Sequence, residues 1–326
     1  MEAIIQDRFG PPDVLRLADI ARPEPKPGEV LLRMRAAALN PYDWHMARGD
    51  PLIARLIPGS VGLTKPRHRV AGLDAAGRVE AVGSEVREFQ VGDEVLGFCP
   101  GAFAEYACTS ADQLVPKPSS LTFEEAAALP IAATTALRAI RDVGHVQSGQ
   151  RVLINGAAGG VGTFAVQIAR ALGAEVTGVC GTGSTELVLS LGASHVIDYT
   201  TDDFTSERAR YDVILDNAGS QPLGRLRYAL NRSGTLVLNA GGEPGHVIGP
   251  IGGMVRAAAV NRFIGQRLCF LPTKLDRAEL ASITQLIEDG KIRSVIDRTY
   301  SLADTADGLR YVETGHAHGK VVVTIA

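Results

Sequence analysis

The spacing of apolar and polar residues changes character near residue 122. Before that point, the chain is rich in Pro and Gly, and short β-type runs are separated by turn signals. These runs predict strands: "AIIQ", "EVLLRMRAAAL", "AAGRVEAVG", "DEVLGF" and "AEYACTS". After it, buried-type apolar runs alternate with helical segments, which is typical of a parallel sheet covered by helices: "RVLIN", "EVTGVC", "HVIDY", "YDVILDNAG", "GTLVLNAGG" and "IGQRLCFL".

The fold class predicted from this pattern is α/β, with a mostly-β domain followed by a doubly wound parallel-sheet domain. We expect residues 1–122 to form the first domain and residues 123–272 the second, with residues 273–326 returning to the first. Thr122 with Glu125 predicts a capping box at the start of a helix. A second helix is expected from Val161, and a late one at "DRAELASITQLIEDG", before the strand "VVVTIA".

Composition and charge exclude several classes of protein. Apolar residues make up 45% and charged residues 21%, as in globular proteins, and a net charge of −3 gives no electrostatic basis for nucleic-acid binding. The four cysteines are scattered without a C-x-x-C pair, which favours a reducing compartment over a disulfide framework. The first 17 residues carry charges where a signal peptide needs an apolar stretch, and no run is long enough to span a membrane. We therefore expect a cytoplasmic protein without a membrane partner.

The stretch "INGAAGGVGTFAVQIAR" predicts a phosphate-binding turn between a strand and a helix. Ala157-x-Gly159-x-x-Gly162 differs by one residue from the dinucleotide fingerprint G-x-G-x-x-G. Small residues here let a diphosphate approach the unpaired N–H groups at the helix start. The alternative is a tight turn that binds nothing.

The end of the second strand of this domain bears on the choice of coenzyme. NAD-dependent proteins place Asp or Glu there, about 20 residues past the glycines, and here that position is Gly181. Without a carboxylate at that position, a 2′-phosphate meets no repulsion, and Thr182, Ser184 and Thr185 offer hydroxyl donors. NADP(H) is therefore favoured over NAD(H), although no Arg or Lys lies beside the site in the sequence.

Taken together, these segments resemble the medium-chain dehydrogenase/reductase superfamily, most closely its zinc-free quinone oxidoreductase branch, which includes zeta-crystallin. Over nearly the whole chain, the resemblance is carried by "AAALNPYDWHMARGD", "AGLDAAGRVEAVGSEVREFQVGDEVLGF", "ALPIAATTA", "INGAAGGVG", "VIDY" and "GHAHGKVVV". It implies a GroES-like catalytic domain, a Rossmann domain and a cleft that holds NADPH. Relatives are commonly homodimers through an extended sheet, for which "RFIGQRLCFL" is the candidate edge strand.

The resemblance also implies which residues bind the coenzyme. For the diphosphate they are Ala158, Gly159, Gly160, Val161 and Gly162, and around the adenosine phosphate they are Gly181, Thr182 and Tyr199. Many relatives carry a lysine in the helix after Gly181 that is missing here, and Lys320 is a candidate to supply that charge. The remaining candidates are Thr134, Ala240, Gly241, Gly242 and Phe270, with His318, Gly319 and Lys320 of the tail. Thr134 alone also fits a helix interior, and Phe270 also fits core packing.

No catalytic zinc is expected. The zinc-dependent members use a Cys and a His-Glu pair, and the corresponding positions here hold Asn40 and Leu73-Asp74. Neither an amide nor an aliphatic side chain replaces a thiolate or an imidazole in a tetrahedral zinc site.

Without a metal, hydride transfer is easiest to a substrate that delocalises the resulting charge, such as a quinone or an α,β-unsaturated carbonyl. Asn40, His45 and Tyr42 are the candidates to orient the substrate or the nicotinamide ribose and to donate a proton. The alternatives are a packing histidine for His45 and a buried ring with a satisfied hydroxyl for Tyr42. For Asp43 a structural hydrogen bond is the better interpretation.

Three functions remain open on the sequence. The first is an NADPH-dependent reductase of quinones or enones that works without zinc. The second is an NADP-dependent oxidoreductase of alcohols or aldehydes with the same fold. The third is an NADPH-binding protein without turnover, and the fold alone does not separate the three.

Overall fold

The computed structural model describes residues 1–50, 52, 55, 62–239, 261, 264–271 and 274–326. These residues form two compact units. Unit 1 consists of Met1–Thr134, Leu275–Gly290 and Ser294–Ala326, and unit 2 of Thr135–Lys274 and Lys291–Arg293. The sequence analysis placed the first boundary at residue 122, whereas the division in the structure comes after Thr134.

The strands and helices are numbered in chain order. The strands are β1 (Glu2–Ile5), β2 (Arg16–Asp19), β3 (Glu29–Leu39), β4 (Asp74–Val82), β5 (Glu94–Phe98), β6 (Tyr106–Ser110), β7 (Leu114–Pro116), β8 (Arg151–Asn155), β9 (Glu175–Cys180), β10 (His195–Asp198), β11 (Tyr211–Asp216), β12 (Leu230–Leu238), β13 (Arg267–Phe270), β14 (Ile296–Ser301) and β15 (Lys320–Thr324). The α-helices are α1 (Pro41–Arg48), α2 (Phe123–Ala127), α3 (Pro130–Leu137), α4 (Gly160–Ala171), α5 (Thr185–Ser190), α6 (Leu223–Ala229), α7 (Arg277–Glu288) and α8 (Thr305–Glu313). A π-helical turn, Arg138–Val143, follows α3.

Unit 1 is built around a seven-stranded sheet in the order β14-β15-β3-β4-β5-β7, with β6 paired to β3. The last strand, β15, runs antiparallel to β3 with Val321 opposite Leu39. The late segment therefore returns to the first unit, as the sequence predicts. The alternating apolar residues of β3, including Val30, Leu32 and Met34, are fully buried in the core of this unit.

Unit 2 contains a six-stranded parallel sheet in the order β10-β9-β8-β11-β12-β13. The chain order reverses between β8 and β11, which is the topological switch point where doubly wound sheets bind ligands beyond the carboxyl ends of their strands. The predicted fold class, a GroES-like mostly-β domain and a Rossmann parallel-sheet domain, is confirmed.

Local sequence signals agree closely with the observed helix ends. Thr122 accepts a hydrogen bond from the Glu125 N–H, and the Glu125 carboxylate accepts one from the Thr122 N–H, as expected for a capping box. Helix α4 begins at Gly160, one residue before the predicted Val161.

Among the described residues, no helix combines the length and the apolar character that crossing a bilayer requires.

Strand β13 lies at one edge of the described parallel sheet, as the sequence predicts. The Leu268 N–H donates to Asn261 Oδ1 (2.9 Å), and Asn261 Nδ2 donates to the Leu268 carbonyl (2.8 Å). One side-chain amide thus pairs with both backbone groups of Leu268, which a strand of another molecule would otherwise use.

Candidate functional site

The predicted diphosphate-binding turn joins the end of β8 to the start of α4. Gly156 adopts a left-handed conformation, with φ of +76°, which glycine reaches at little cost. The N–H groups of Gly156 and Ala157 both donate to the Val179 carbonyl on β9, at 3.1 and 2.9 Å. These bonds hold the turn against the sheet and leave the following residues to form the helix start.

The small residues of the turn have different steric reasons. A Cβ on Gly162 would lie 2.0 Å from the Gly156 carbonyl oxygen, so only glycine allows α4 to pack this closely on the turn. A Cβ on Gly159 would meet Gly156 O at an ordinary 3.5 Å. Ala157 replaces the first glycine of the fingerprint and is fully buried. Its Cβ packs against Gly178 on β9, where an added Cβ would lie only 3.0 Å away.

The first turn of α4 presents backbone donors. Gly159 is the N-cap residue and offers no side-chain acceptor, and the first backbone bond across the helix start joins the Thr163 N–H to Gly159 O (2.9 Å). The N–H groups of Gly160, Val161 and Gly162 have no acceptor among the described residues. Unpaired N–H groups and the helix dipole attract anions. The turn therefore fits the diphosphate of a dinucleotide, and the N–H groups of these three residues would hold it.

Polar side chains that the sequence analysis did not single out lie at the switch point. Asp216, at the end of β11, is buried and accepts hydrogen bonds from Asn155 Nδ2 (2.8 Å) and the Gly219 N–H (3.0 Å). Burial raises the pKa of Asp216. The side-chain nitrogen of Asn217, Nδ2, is buried and has no hydrogen-bond partner in the described part of the chain. Polar residues directly after a buried strand, as in "VILDNAG", are the sequence signal for these positions.

The predicted adenosine-phosphate residues lie together at the ends of β9 and β10. A Cβ on Gly181 would lie 3.4 Å from the Tyr199 hydroxyl, so these two residues are neighbours. The Thr182 hydroxyl donates to Asp198 Oδ2 (2.5 Å). Thr182 was predicted to offer its hydroxyl to a phosphate; in this arrangement the hydroxyl donates to a carboxylate instead, and the predicted phosphate contact stays a prediction.

A buried polar cluster joins three segments of unit 1. Lys320 Nζ donates to Asn40 Oδ1 (2.5 Å) and to Leu39 O (3.2 Å), and it lies 3.6 Å from Asp74 Oδ2. The Asn40 N–H donates to Asp43 Oδ2 (2.8 Å), which caps α1. The β15–β3 pairing brings Lys320 to this place, and the sequence analysis did not identify Asp74 as part of a site.

Burial dominates the electrostatics of this cluster. It raises the pKa of Asp43 to about 7, with the nearby Asp74 charge adding to the effect. Burial also raises the pKa of Asp74 to about 6, while Lys320, Asn40 and the Ile131 N–H act in the opposite direction. The pKa of Lys320 is lowered by burial, against the pull of both carboxylates. The ammonium and the carboxylates thus offset part of one another's desolvation.

Two residues with predicted roles, Asn40 and Lys320, belong to this cluster, and those roles stay predictions. Asn40 is 2% exposed, its Nδ2 donates to Asp74 Oδ2 (2.9 Å) and Ala38 O (3.3 Å), and its Oδ1 is taken by Lys320. No donor of Asn40 remains for a substrate oxygen or for the nicotinamide ribose. Lys320 is 3% exposed and its charge faces Asp74 in this arrangement, so its contact with a 2′-phosphate stays a prediction.

The predicted role of Thr134 at the nicotinamide also stays a prediction. Its hydroxyl is buried and donates to the Pro130 carbonyl (2.5 Å) one turn earlier in α3. This back-bonding is common for threonine inside helices. The alternative interpretation, a helix-interior threonine, is the one that the structure supports.

Tyr42 and His45 lie three residues apart on α1 and therefore near the same face of the helix. The Tyr42 hydroxyl has no hydrogen-bond partner among the described residues, and burial raises its pKa. His45 stacks on the Trp44 ring at 3.6 Å between centroids, and its Nδ1 is buried without a partner in the described ranges. Burial lowers the pKa of His45, which favours the neutral imidazole. Both remain predicted catalytic residues.

The other predicted positions divide as follows. Gly319 has φ of +112°, and a Cβ there would lie 2.5 Å from Val295 O, so glycine is required before β15. The His318 N–H donates to Asp297 Oδ2 (2.9 Å). Phe270 packs against the apolar core of unit 2, and Ala158 is buried in the phosphate-binding turn. Ala240, Gly241 and Gly242 lie outside the described residues.

The residues at the zinc-ligand positions do not fit a zinc ion. An amide stands at the cysteine position, Asn40, and a leucine at the histidine position, Leu73. The carboxylate of Asp74 already faces the Lys320 ammonium, whose positive charge opposes a metal cation at the same place. Among the described residues, no group of three or more His, Cys, Asp or Glu side chains is arranged to hold a metal.

Comparison with known proteins gives the same picture for both parts of the chain. Residues 26–119 match the family described as alcohol dehydrogenase GroES-like domain, and residues 191–323 match the family described as zinc-binding dehydrogenase. The chain is 35% identical to NAD(P)H oxidoreductase RTN4IP1, mitochondrial, of Mus musculus, over 100% of this chain and 89% of that protein.

Solved structures show the same similarity. The quinone oxidoreductase from Coxiella burnetii superposes with a TM-score of 0.83 at 30% identity, covering 100% of this chain and 99% of the other. A mycobacterial protein solved as its complex with NADPH gives a TM-score of 0.83 at 27% identity, with both chains fully covered. The chain therefore belongs to the medium-chain dehydrogenase/reductase superfamily, among the quinone oxidoreductases, and is an NAD(P)-dependent oxidoreductase.

Proposed function

We propose that this protein is a zinc-independent reductase that transfers a hydride from NADPH to a quinone or an α,β-unsaturated carbonyl. The observation that carries the proposal is the Asn40–Asp74–Lys320 cluster, in which a lysine ammonium lies beside the residues that stand at metal-ligand positions. A second cation there would meet direct repulsion. Without a Lewis acid to stabilise an alkoxide, a conjugated acceptor is the substrate class that needs least assistance.

The coenzyme is expected at the helix start of α4. The N–H groups of Gly160, Val161 and Gly162 are available for its diphosphate, and Gly181 leaves room beside Tyr199 for the adenosine end. The bound coenzyme supplies the hydride, and the reduced substrate takes one proton in addition. Two similar proteins, the NAD(P)H oxidoreductase RTN4IP1 of Mus musculus and the quinone oxidoreductase from Coxiella burnetii, support this reaction type.

Tyr42 is the proposed donor to the substrate oxygen. Its hydroxyl has no partner in the described part of unit 1, and its raised pKa keeps it protonated at neutral pH. A protonated hydroxyl is suited to donating a hydrogen bond to an oxygen that gains negative charge. His45, with its lowered pKa, is neutral under the same conditions and is the second candidate.

The experiment that tests the proposal is NADPH oxidation against a panel of quinones, enones, aldehydes and alcohols, before and after dialysis against a chelator. We expect turnover with a quinone or an enone at an unchanged rate after chelation. Loss of activity on chelation, restored by zinc, would refute zinc independence. Turnover confined to alcohols and aldehydes would assign the alternative reaction, and NADPH binding without turnover would indicate a non-catalytic protein.

The role of Tyr42 is tested in the same assay. We expect Tyr42→Phe to lower kcat roughly 10²-fold, within the range for a positioned proton donor, with NADPH affinity unchanged. An unchanged kcat would move the assignment to His45, for which His45→Gln is the corresponding variant.

A further inference from the structure

A carboxylate occupies the adenosine end of the predicted coenzyme site, and it comes from the third strand of the parallel sheet. Asp198 is the last residue of β10 and lies beside Cys180, the last residue of β9, in the parallel register. Its Oδ2 accepts from the Thr182 hydroxyl (2.5 Å), and its Oδ1 accepts from the Thr200 N–H (2.9 Å) and the Thr200 hydroxyl (2.7 Å).

This carboxylate is ionised at neutral pH and has no cation beside it. The hydrogen bonds from Thr182 and Thr200 lower the pKa of Asp198. Within the described ranges, all the groups that stabilise its charge are hydroxyl and N–H donors, and no Lys, Arg or His pairs with it. The negative charge of Asp198 is therefore open to a neighbouring ligand.

Asp198 lies at the edge of the sheet where coenzymes are discriminated in dinucleotide-binding proteins, on the strand next to the one that carries the discriminating position. The end of the second strand faces the adenosine ribose, and an acidic residue there accepts the 2′-hydroxyl of NAD. Here the second strand ends before Gly181, which lies next to Tyr199, the residue that follows Asp198 in the chain. Although the second strand lacks the acidic residue, the neighbouring strand brings a carboxylate to the same end of the sheet.

We propose that Asp198 is a specificity-determining residue that limits the preference for NADPH and makes NADH a competent coenzyme. Its free lone pair on Oδ2 is suited to a ribose 2′-hydroxyl, whereas its charge opposes a 2′-phosphate. Thr182 supports this role, because its hydroxyl is directed at the carboxylate rather than outward. The inference rests on the proposed coenzyme site at the start of α4 and adds to it a statement about the preference between NADPH and NADH.

The test is a set of equilibrium titrations with NADPH, NADH, ADP-ribose and ADP-ribose 2′-phosphate, the last two reporting on the adenosine end alone. The variant is Asp198→Asn, which keeps an acceptor for Thr182 and removes the charge. The matched control is Asp202→Asn, which removes a carboxylate four residues later in the same surface segment.

We expect Asp198→Asn to tighten binding of NADPH and ADP-ribose 2′-phosphate roughly ten-fold, the order for removing one carboxylate charge beside a phosphate in a solvent-exposed site. The affinity for NADH and ADP-ribose should fall two- to three-fold, and the gain for NADPH should shrink at high salt. The control should leave the NADPH to NADH affinity ratio within two-fold of wild type.

The outcomes separate this inference from the proposed function. If NADPH binds but its affinity relative to NADH is unchanged in Asp198→Asn, or changes equally in the control, the role of Asp198 is refuted alone. If neither coenzyme binds to the wild-type protein, both the coenzyme site and the inference that rests on it are refuted.

Discussion

The buried carboxylate of Asp43 makes the stability of this protein depend on pH in an unusual direction. Asp43 is 6% exposed, and its pKa is raised to about 7, against 3.8 for an unperturbed Asp. The folded state therefore binds a proton more tightly than the unfolded state. The stabilising effect of this protonation is fully present below pH 3.8 and is lost as the pH rises through about 7.

The magnitude follows from these two values. Between pH 5 and pH 8 the folded protein releases the Asp43 proton, whereas the unfolded chain has already lost it. From pH 5 to the folded pKa of about 7 the unfolding free energy falls by about 1.4 kcal/mol per pH unit, so about 3 kcal/mol of stability is lost in total. For a domain of this size, that corresponds to a fall in Tm of roughly 5 to 10 °C.

The informative perturbation is Asp43→Asn. Its side-chain oxygen still accepts from the Asn40 N–H, so the cap of α1 is retained while the titrating group is removed. We expect the difference in unfolding free energy between variant and wild type to shift by about 3 kcal/mol in favour of the variant between pH 5 and pH 8. Titrating groups outside the cluster are common to both proteins and cancel in that difference, whereas Asp74 and Lys320 are coupled to Asp43 and modify its size.

The assay is urea unfolding and calorimetry at pH 5, 6, 7 and 8. Glu125→Gln is the matched control, because Glu125 has the same capping-box position at α2 but makes its hydrogen bond at the surface. Its pH dependence should follow that of the wild type. Parallel stability curves for wild type and Asp43→Asn would refute the reasoning, because they would show that Asp43 does not change protonation in the folded protein over this range.

Three further predictions concern other contacts. Lys320→Met leaves the Asp74 carboxylate buried without its cation, so we expect urea unfolding at pH 8 to show a loss of about 3 to 5 kcal/mol in unfolding free energy. A loss under about 1 kcal/mol would contradict the ion pair. Gly159→Ala should fold normally yet bind NADPH at least ten-fold more weakly. Gly162→Ala should also lower Tm, because its Cβ meets Gly156 O. An NADPH affinity of Gly159→Ala equal to that of wild type would refute the phosphate-binding turn. Asn261→Ala frees the backbone groups of one β13 residue, so light scattering should show a larger dimer fraction than for wild type; an unchanged fraction would show that β13 is not the contact.

Much of unit 2 was predictable because its signals are local. Buried runs of strand length alternate with helices, and the glycines of the β8–α4 turn sit at fixed positions between them. The steric need for Gly162 is a contact with a residue only six positions earlier in the chain. Such short-range patterns determine the strand and helix boundaries, which is why the predicted and observed elements agree to within a few residues.

The contacts that the sequence did not predict depend on long-range pairing. Lys320 reaches Asn40 only because β15 pairs with β3 in the register that sets Val321 opposite Leu39, and nothing near residue 320 in the sequence indicates that partner. Asp198 was missed for a similar reason. The position expected to carry an acidic residue is the end of the second strand, whereas the carboxylate belongs to the neighbouring strand.

The buried cluster of unit 1 links this long-range pairing to the predicted chemistry. Asp74 accepts from the Ile131 N–H at the start of α3 (3.0 Å), and Asn40 with Asp43 forms the cap of α1. Because leaving any one of these buried groups unpaired is costly, the cluster fixes where both helices begin. Helix α1 carries the proposed donor Tyr42, so on that proposal the residues of the cluster would position it even though Asn40 has no donor free for a substrate. Lys320 thus lies beside the residues that stand at the metal-ligand positions, and its contacts with Asn40 and Asp74 help to hold the helix starts in place.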